Sequence, residues 1–164
     1  MNNEATAAIN GQRSRSEPVG IGLVGSGTRL SGLVRKLPEL GTGLRVTALS
    51  DPNPDSVSEA AIDIATDAVR YDDYRELVGD PNVEWVMVGS WNVHHRAHVV
   101  AALDAGKHVF CEKPLATTMD DLIAIRDAQA RSGKMLVMGL TLRYSPHYCA
   151  IKKIIDAGAI GRIV

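Results

Sequence analysis

From residue 19 onward the chain alternates between short, nearly unbroken apolar runs and longer stretches with helical apolar spacing. The first run, VGIGLV at 19–24, leads into Gly25-Ser26-Gly27 and predicts a buried strand entering a tight turn. Leu30, Leu33, Val34 and Leu37 then share one face of a helix predicted over 29–40, which Gly41 and Gly43 break. LRVTAL at 44–49 predicts a second strand, stopped by Ser-Asp-Pro-Asn-Pro. An alanine-rich helix over 56–66 and a short helix over 74–78 come next, then a third clear strand, VEWVMV, at 83–88. A helix over 93–105 is closed by Gly106 as C-cap. The strand KHVFC at 107–111 runs into Glu112-Lys113-Pro114. A helix over 118–131 has Thr117 or Thr118 as N-cap and Asp120 and Asp121 in its first turn. A strand over 135–138 and a helix over 145–157 follow, and Ile163 and Val164 read as the beginning of another strand.

Strands that are continuously apolar and alternate with helices are buried on both faces, the mark of a parallel sheet with helical crossovers. The fold class is therefore α/β, a doubly wound parallel sheet, and its ligand is expected at the carboxyl ends of the strands. Residues 1–18 (MNNEATAAINGQRSRSEP) are small and polar and read as a disordered tail without an apolar signal region. No apolar run approaches the roughly 18 residues needed to span a bilayer.

Composition changes this picture little. The 164 residues carry a net charge of −1 with both signs interspersed, which excludes a basic nucleic-acid surface and an anionic-membrane surface. Cys111 and Cys149 form neither a disulfide framework nor a zinc spacing, and they read as reduced thiols of a cytoplasmic protein.

Three places carry chemistry. The first is the turn Gly25-Ser26-Gly27-Thr28-Arg29-Leu30. A pyrophosphate is held by backbone N–H groups at a helix N-terminus, and glycines keep side chains out of its way. An ordinary glycine-rich strand-to-helix turn would look the same. The second is Asp51, 24 residues after Gly27 at the end of the second strand. A carboxylate here would accept hydrogen bonds from the hydroxyls of an adenosine ribose and repel a 2′-phosphate, which favours NAD over NADP. Asp is equally at home opening a turn before Pro52. Third, Glu112-Lys113-Pro114 places a lysine at the carboxyl edge of the sheet. There a desolvated ammonium could serve in acid–base work; the alternative is a surface lysine in a turn.

With these residues in view, the chain resembles the Gfo/Idh/MocA oxidoreductases. AALDAGKHVFCEKPLAT at 101–117 is the most specific stretch. VGIGLVGSGTR at 19–29, TALSDPNP at 47–54 and GLTLRYSPHYCAIKKIIDAGAIGRIV at 139–164 agree with it. The resemblance implies a Rossmann-like NAD(P)-binding domain over 19–145, in a dehydrogenase of a sugar, polyol or related hydroxyl compound. It implies that Gly25, Ser26, Gly27, Thr28 and Arg29 hold the pyrophosphate and Asp51 the adenosine ribose. Ser90, Asn92 and His95 would line the nicotinamide-ribose side, with Glu112 and Pro114 shaping the turn beside the nicotinamide. Lys113 would be the catalytic lysine, close to substrate, and Arg143 would stand near the substrate entrance. In the family a cis bond often precedes this proline.

The resemblance also sets expectations about what is missing. Family members are much longer, with a C-terminal α+β domain that supplies substrate contacts, most of the oligomer interface and usually a catalytic histidine. Here that domain is expected to be absent or truncated, with 146–164 as a linking helix and its beginning. The parent protein is expected to be a homo-oligomer, and the isolated chain to be either an inactive half-enzyme or a dinucleotide-binding module without turnover. An exposed sheet edge and an exposed face for the second domain would promote association. Three residues depart from the family pattern: Leu30 in the third small position, Trp91 where proline is common, and Thr141 where asparagine is frequent. His94, His95 and His98 invite a metal reading, but no third ligand of proper spacing accompanies them and no metal is expected.

Overall fold

The computed structural model describes residues 18–37 and 43–162. Among them six strands form one parallel sheet: β1 (Val19–Val24), β2 (Leu44–Ser50), β3 (Val69–Arg70), β4 (Trp85–Val88), β5 (His108–Cys111) and β6 (Leu136–Met138). Their order is β3-β2-β1-β4-β5-β6. The helices are α1 (Thr28–Val34), α2 (Pro54–Ile64), α3 (Tyr74–Gly79), α4 (His95–Asp104), α5 (Met119–Ser132) and α6 (Pro146–Asp156). The chain winds outward from β1 to β3, then returns to β4 on the other side of β1. The strand order therefore reverses between β1 and β4, which opens a crevice at their carboxyl ends.

The side-chain alternation of the strands builds two cores. Leu23, Leu49 and Met87 pack with Leu30 and Val34 of α1 and with Val57, Ala60 and Ala61 of α2. Ala48, Val86 and Val88 face the other way, onto Leu77 of α3, Val99 and Leu103 of α4, and Ile125 and Ala128 of α5. Each large aliphatic side chain so buried contributes about 1.5–3 kcal/mol. Both layers of the expected doubly wound sheet are present.

Local chemistry sets the helix ends. Asn53 caps α2 and Asp73 caps α3 through their side chains. Thr118, not Thr117, caps α5, accepting from the Asp121 backbone N–H at 3.1 Å. Gly106 takes the left-handed φ of 74° expected after α4. Where the structure departs from the pattern, the cause is local. The helix predicted over 56–66 begins at Pro54, because proline suits the first helical position after the Asn53 cap. The helix predicted from 93 opens with a tighter 3-10 turn over Asn92–His94. The strand predicted from 83 begins at Trp85, because the Val83 N–H closes a turn onto the Asp80 carbonyl at 3.2 Å. β3 has two exposed residues and no apolar run to announce it.

The expected tail over 1–18 lies, apart from Pro18, outside the described residues. So do the predicted end of the first helix at 38–40 and the strand expected to begin at Ile163. Beyond β6, a second 3-10 turn over Thr141–Tyr144 leads into α6, which buries none of its residues. Tyr148, Ile151 and Ile154 are exposed on it.

Candidate functional site

The chemistry-bearing residues gather in the loops that follow β1, β2, β4 and β5, all at the same edge of the sheet. After β1 the chain turns at Gly25, whose φ is 83°. A Cβ there would stand 2.6 Å from the Ser90 Cα, so the loop after β4 lies directly against this turn. Backbone bonds hold the turn between its neighbours: the Gly25 N–H donates to the Ser50 carbonyl at the end of β2 at 2.8 Å, and the Gly89 N–H after β4 to the Val24 carbonyl at 2.9 Å. Gly27 differs. It caps α1 without a side-chain hydrogen bond, its φ of −60° suits any residue, and a Cβ on it would meet no atom within 4 Å. Space rather than backbone strain is what glycine preserves here. The neighbouring Ser26 hydroxyl is buried without a hydrogen-bond partner among the described residues.

Leu30, the departure from a third small residue, is fully buried. Gly89 makes room for it: a Cβ on Gly89 would lie 2.8 Å from the Leu30 Cβ and 2.9 Å from its Cδ2. The close packing of α1 against the sheet is thus kept by moving the missing side chain from the helix to the end of β4.

Asp51 closes β2 and reaches across to the first loop. Its Oδ2 accepts the Ser26 backbone N–H at 2.8 Å, and its Oδ1 accepts the Asn53 N–H at 2.8 Å. A carboxylate has about four lone-pair sites, so each oxygen keeps acceptor capacity beyond these bonds. The turn-opening role and a ligand role are therefore compatible.

After β5, Glu112 is 6% exposed, and its carboxylate takes the Arg29 Nε at 3.4 Å and the Lys113 backbone N–H at 3.4 Å. The same guanidinium donates to the Thr141 hydroxyl at 3.5 Å. Arg29 thus spans the crevice from α1 to the turn after β5 and to the chain leaving β6. The Lys113–Pro114 bond is cis. Lys113 and Arg143 are exposed, and the Lys113 ammonium has no partner among the described residues. The desolvation expected for Lys113 is therefore not supplied by this domain, because the lysine sits on the open rim of the crevice.

The loop after β4 carries Ser90 and Asn92. Asn92 is exposed in the 3-10 turn. His95, expected to line the nicotinamide-ribose side, is instead 0% exposed. Its Nδ1 lies 2.7 Å from the Pro114 carbonyl and its Nε2 3.0 Å from the Ser90 carbonyl. His98 is bound to the same loop: its Nδ1 is 2.8 Å from the Ser90 hydroxyl, and its ring packs on Tyr74 with centroids 4.3 Å apart. Burial, then the neighbouring His94 and His95, push the His98 pKa down to about 4, so its ring is neutral at physiological pH. Among the described residues no cluster suited to a metal ion is present, and His95 and His98 spend ring nitrogens on Ser90 and Pro114. Burial, with Glu112 beside it, pushes the Cys111 thiol up to about 12, which suits a structural thiol and not a nucleophile.

The structure thus brings Gly25, Ser26, Gly27, Arg29, Asp51, Ser90, Glu112 and Pro114 to one edge of the sheet, with Thr28 exposed in the first turn of α1. Sequence reasoning missed Gly89 as the partner of Leu30, Thr141 as a partner of Arg29, and the hold of His98 on Ser90. No spacing rule encodes such pairs; the glycine ending a predicted strand was their one visible trace.

A family model described as an oxidoreductase family with an NAD-binding Rossmann fold matches residues 19–140. Inositol 2-dehydrogenase of Gluconacetobacter diazotrophicus is 42% identical over 147 residues, which cover 89% of this chain and 44% of that protein. A crystal structure of myo-inositol dehydrogenase from Lactobacillus casei with NAD(H) and myo-inositol superposes with a TM-score of 0.79 at 33% identity, over 88% of this chain and 43% of that one. Levoglucosan dehydrogenase in complex with NADH and levoglucosan gives a TM-score of 0.78 at 28% identity, over 90% of this chain and 42% of that one. The chain therefore spans less than half the length of these relatives. The matched residues and the sheet order agree, and the chain belongs to the Gfo/Idh/MocA oxidoreductase family through its NAD-binding Rossmann domain.

Proposed function

We propose that this chain is the cofactor-binding half of an NAD-dependent dehydrogenase of a sugar, polyol or related hydroxyl compound. The observation that carries the cofactor assignment is Asp51, a carboxylate fixed at the end of β2 by the Ser26 and Asn53 backbone. A dinucleotide fits the rest of the edge. The open space over Gly27 leaves room for a pyrophosphate, and the buried Ser26 hydroxyl lies unpartnered in the same loop. Asp51 disfavours a 2′-phosphate, and Arg29 is turned toward Glu112 and Thr141, away from the end of β2. NAD is accordingly preferred to NADP. The pyrophosphate would lie over Gly25, Ser26, Gly27, Thr28 and Arg29, and the adenosine ribose beside Asp51. The nicotinamide end would then lie over β4 and β5, near Ser90, Asn92, Glu112 and Pro114.

A bound nicotinamide supplies hydride acceptance and return. Within this chain, the Lys113 Nζ is the group that exchanges a proton with the substrate hydroxyl oxygen, and its positive charge favours an alkoxide there. Glu112, held by Arg29, keeps the turn in place, and Arg143 contributes at the substrate entrance. Residues 19–145 form the dinucleotide unit, and 146–164 lead toward a second wall. The inositol and levoglucosan named for the relatives support a polyol or sugar substrate. A homo-oligomer in the cytoplasm is the assembly and location we assign to the complete protein. A second reading, binding without turnover by the isolated chain, is favoured by the open rim on which Lys113 stands.

Calorimetric titration of NAD and NADP into the chain tests this. Wild type binds NAD more tightly than NADP. Gly27→Ala keeps its stability within about 1 kcal/mol, because the new methyl meets nothing, yet it loses NAD affinity. Asp51→Ala lowers the NAD-to-NADP affinity ratio. A wild-type chain that binds neither dinucleotide at millimolar concentration removes the proposal.

A further inference from the structure

The first turn of α4 does something that neither the phosphate loop nor the lysine explains. His95 is the buried member of the pair and lies between two loops. One is the 89–94 loop after β4, the other the 112–118 loop after β5. Both ring nitrogens face backbone carbonyls, Pro114 at 2.7 Å and Ser90 at 3.0 Å. Carbonyls only accept, so whichever ring nitrogen carries the proton donates to the carbonyl facing it, and the ring sits between the two loops. One turn further along, His98 takes the Ser90 side chain, its Nδ1 at 2.8 Å from the hydroxyl, and is itself backed by the Tyr74 ring. Ser90 therefore meets two residues of the same helix, His95 at its carbonyl and His98 at its hydroxyl, and the His95 ring also faces the Pro114 carbonyl.

The strand order says what these loops are for. With the pyrophosphate over the end of β1 and the ribose carboxylate on β2, the second nucleotide of a dinucleotide extends to the opposite side of the switch point, over β4 and β5. We infer that His95 and His98 are positioning residues: a two-histidine clamp that fixes the Ser90 and Pro114 loops as one wall for the nicotinamide half of the cofactor, without touching the adenosine half. The inference rests on the dinucleotide reading above. It assigns His95 a role behind the crevice, consistent with its lack of exposed surface. Misplacement of Pro114 also displaces Lys113, its neighbour in the chain, so the clamp sets where the ammonium stands.

Binding of NADH and of ADP-ribose, which lacks the nicotinamide, separates the two halves. Wild type, His95→Ala, His95→Gln and His98→Phe are compared as the full 164-residue chain. His98→Phe keeps an aromatic ring against Tyr74 but releases the Ser90 hydroxyl. The expected result is ADP-ribose affinity within about twofold of wild type in every folded variant. NADH affinity falls at least about fivefold, the size of one hydrogen bond's net contribution, and the anisotropy of bound dihydronicotinamide emission drops. His95→Gln, which can still donate to one carbonyl, recovers part of the loss seen in His95→Ala. If the His95 variants give no cooperative melt, His98→Phe alone decides the matter by the same two ligands. Equal weakening of both ligands, or no change in either, overturns the clamp. A wild type that binds neither ADP-ribose nor NADH overturns the dinucleotide reading, and the clamp with it.

Discussion

The exchange between Leu30 and Gly89 can be measured as a coupling energy. Gly89 has no left-handed φ, so its requirement is space alone. In Gly89→Ala the new methyl would stand 2.8 Å from the Leu30 Cβ, 2.9 Å from its Cδ2 and 3.2 Å from the Gly25 carbonyl oxygen. The Cδ2 can swing aside, but the Cβ is fixed to α1, so the helix itself must move. Overpacking of this kind costs about 1–3 kcal/mol. Leu30→Gly empties a fully buried site, which costs about 2–5 kcal/mol for the lost side chain and about 1 kcal/mol for glycine in a helix. In the double variant the alanine methyl enters the space that the leucine vacated, and both close contacts to residue 30 disappear. Gly89→Ala should then cost little or nothing, which gives a favourable coupling of about 1–3 kcal/mol. Leu30→Ala keeps the offending Cβ and should give a smaller coupling. Urea unfolding of the four chains, with a shared m-value, reads these numbers directly. Additivity within about 0.5 kcal/mol would refute the claim that the small residue was relocated from α1 to β4.

Gly25→Ala should be worse than Gly89→Ala, losing more than about 2 kcal/mol in the same assay, because φ is 83° and the new methyl meets Ser90 backbone that cannot rotate away. The His98 pKa is lowered from 6.5 to about 4 on folding. Its contribution to stability is therefore complete above pH 6.5 and is lost as the pH falls toward 4, because the unfolded chain takes up the proton first. The upper bound is about 3 kcal/mol, and partial exposure of the ring reduces it to about 1 kcal/mol. His98→Phe should flatten that part of the stability–pH curve, and an unchanged slope would reassign it to other groups. In an active protein carrying this domain, Lys113→Ala should lower kcat by about 10²–10⁴-fold, read from nicotinamide absorbance. A near-normal rate would leave Lys113 without a catalytic role.

The architecture was legible because its signals are local. VGIGLV, LRVTAL and the 83–88 run are apolar enough to declare buried parallel strands, and Thr118 and Gly106 mark helix ends through their own chemistry. β3 escaped notice because its two residues lie exposed at a sheet edge, where burial leaves no pattern. At the site, Gly25, Gly27, Asp51 and Lys113 could be singled out because each sits beside a strand end. Their partners could not. The Arg29–Glu112 pair joins residues 83 apart in sequence, and the His95–Pro114 contact joins residues 19 apart. A histidine next to a predicted helix start looks the same whether it faces a ligand or is buried behind the loop, and only packing separates the two for His95.

With the ribose beside Asp51 as proposed, binding and folding share a residue at this edge. Its two oxygens each hold a backbone N–H at 2.8 Å, one in the turn after β1 and one in the turn before α2. The charge that would exclude a 2′-phosphate is therefore the same charge that ties Ser26 to the end of β2. Removing it leaves two backbone donors to find other partners, a loss of about 1–3 kcal/mol for each that stays buried. A change of cofactor preference made at this residue alone must then loosen the loop proposed to bind the phosphates. The affinity ratio between NAD and NADP can invert while both absolute affinities fall. A switch that keeps the affinity needs a second acceptor for the Ser26 N–H, so any tight NADP-binding variant of this chain should carry a new hydrogen-bond acceptor at or near position 51.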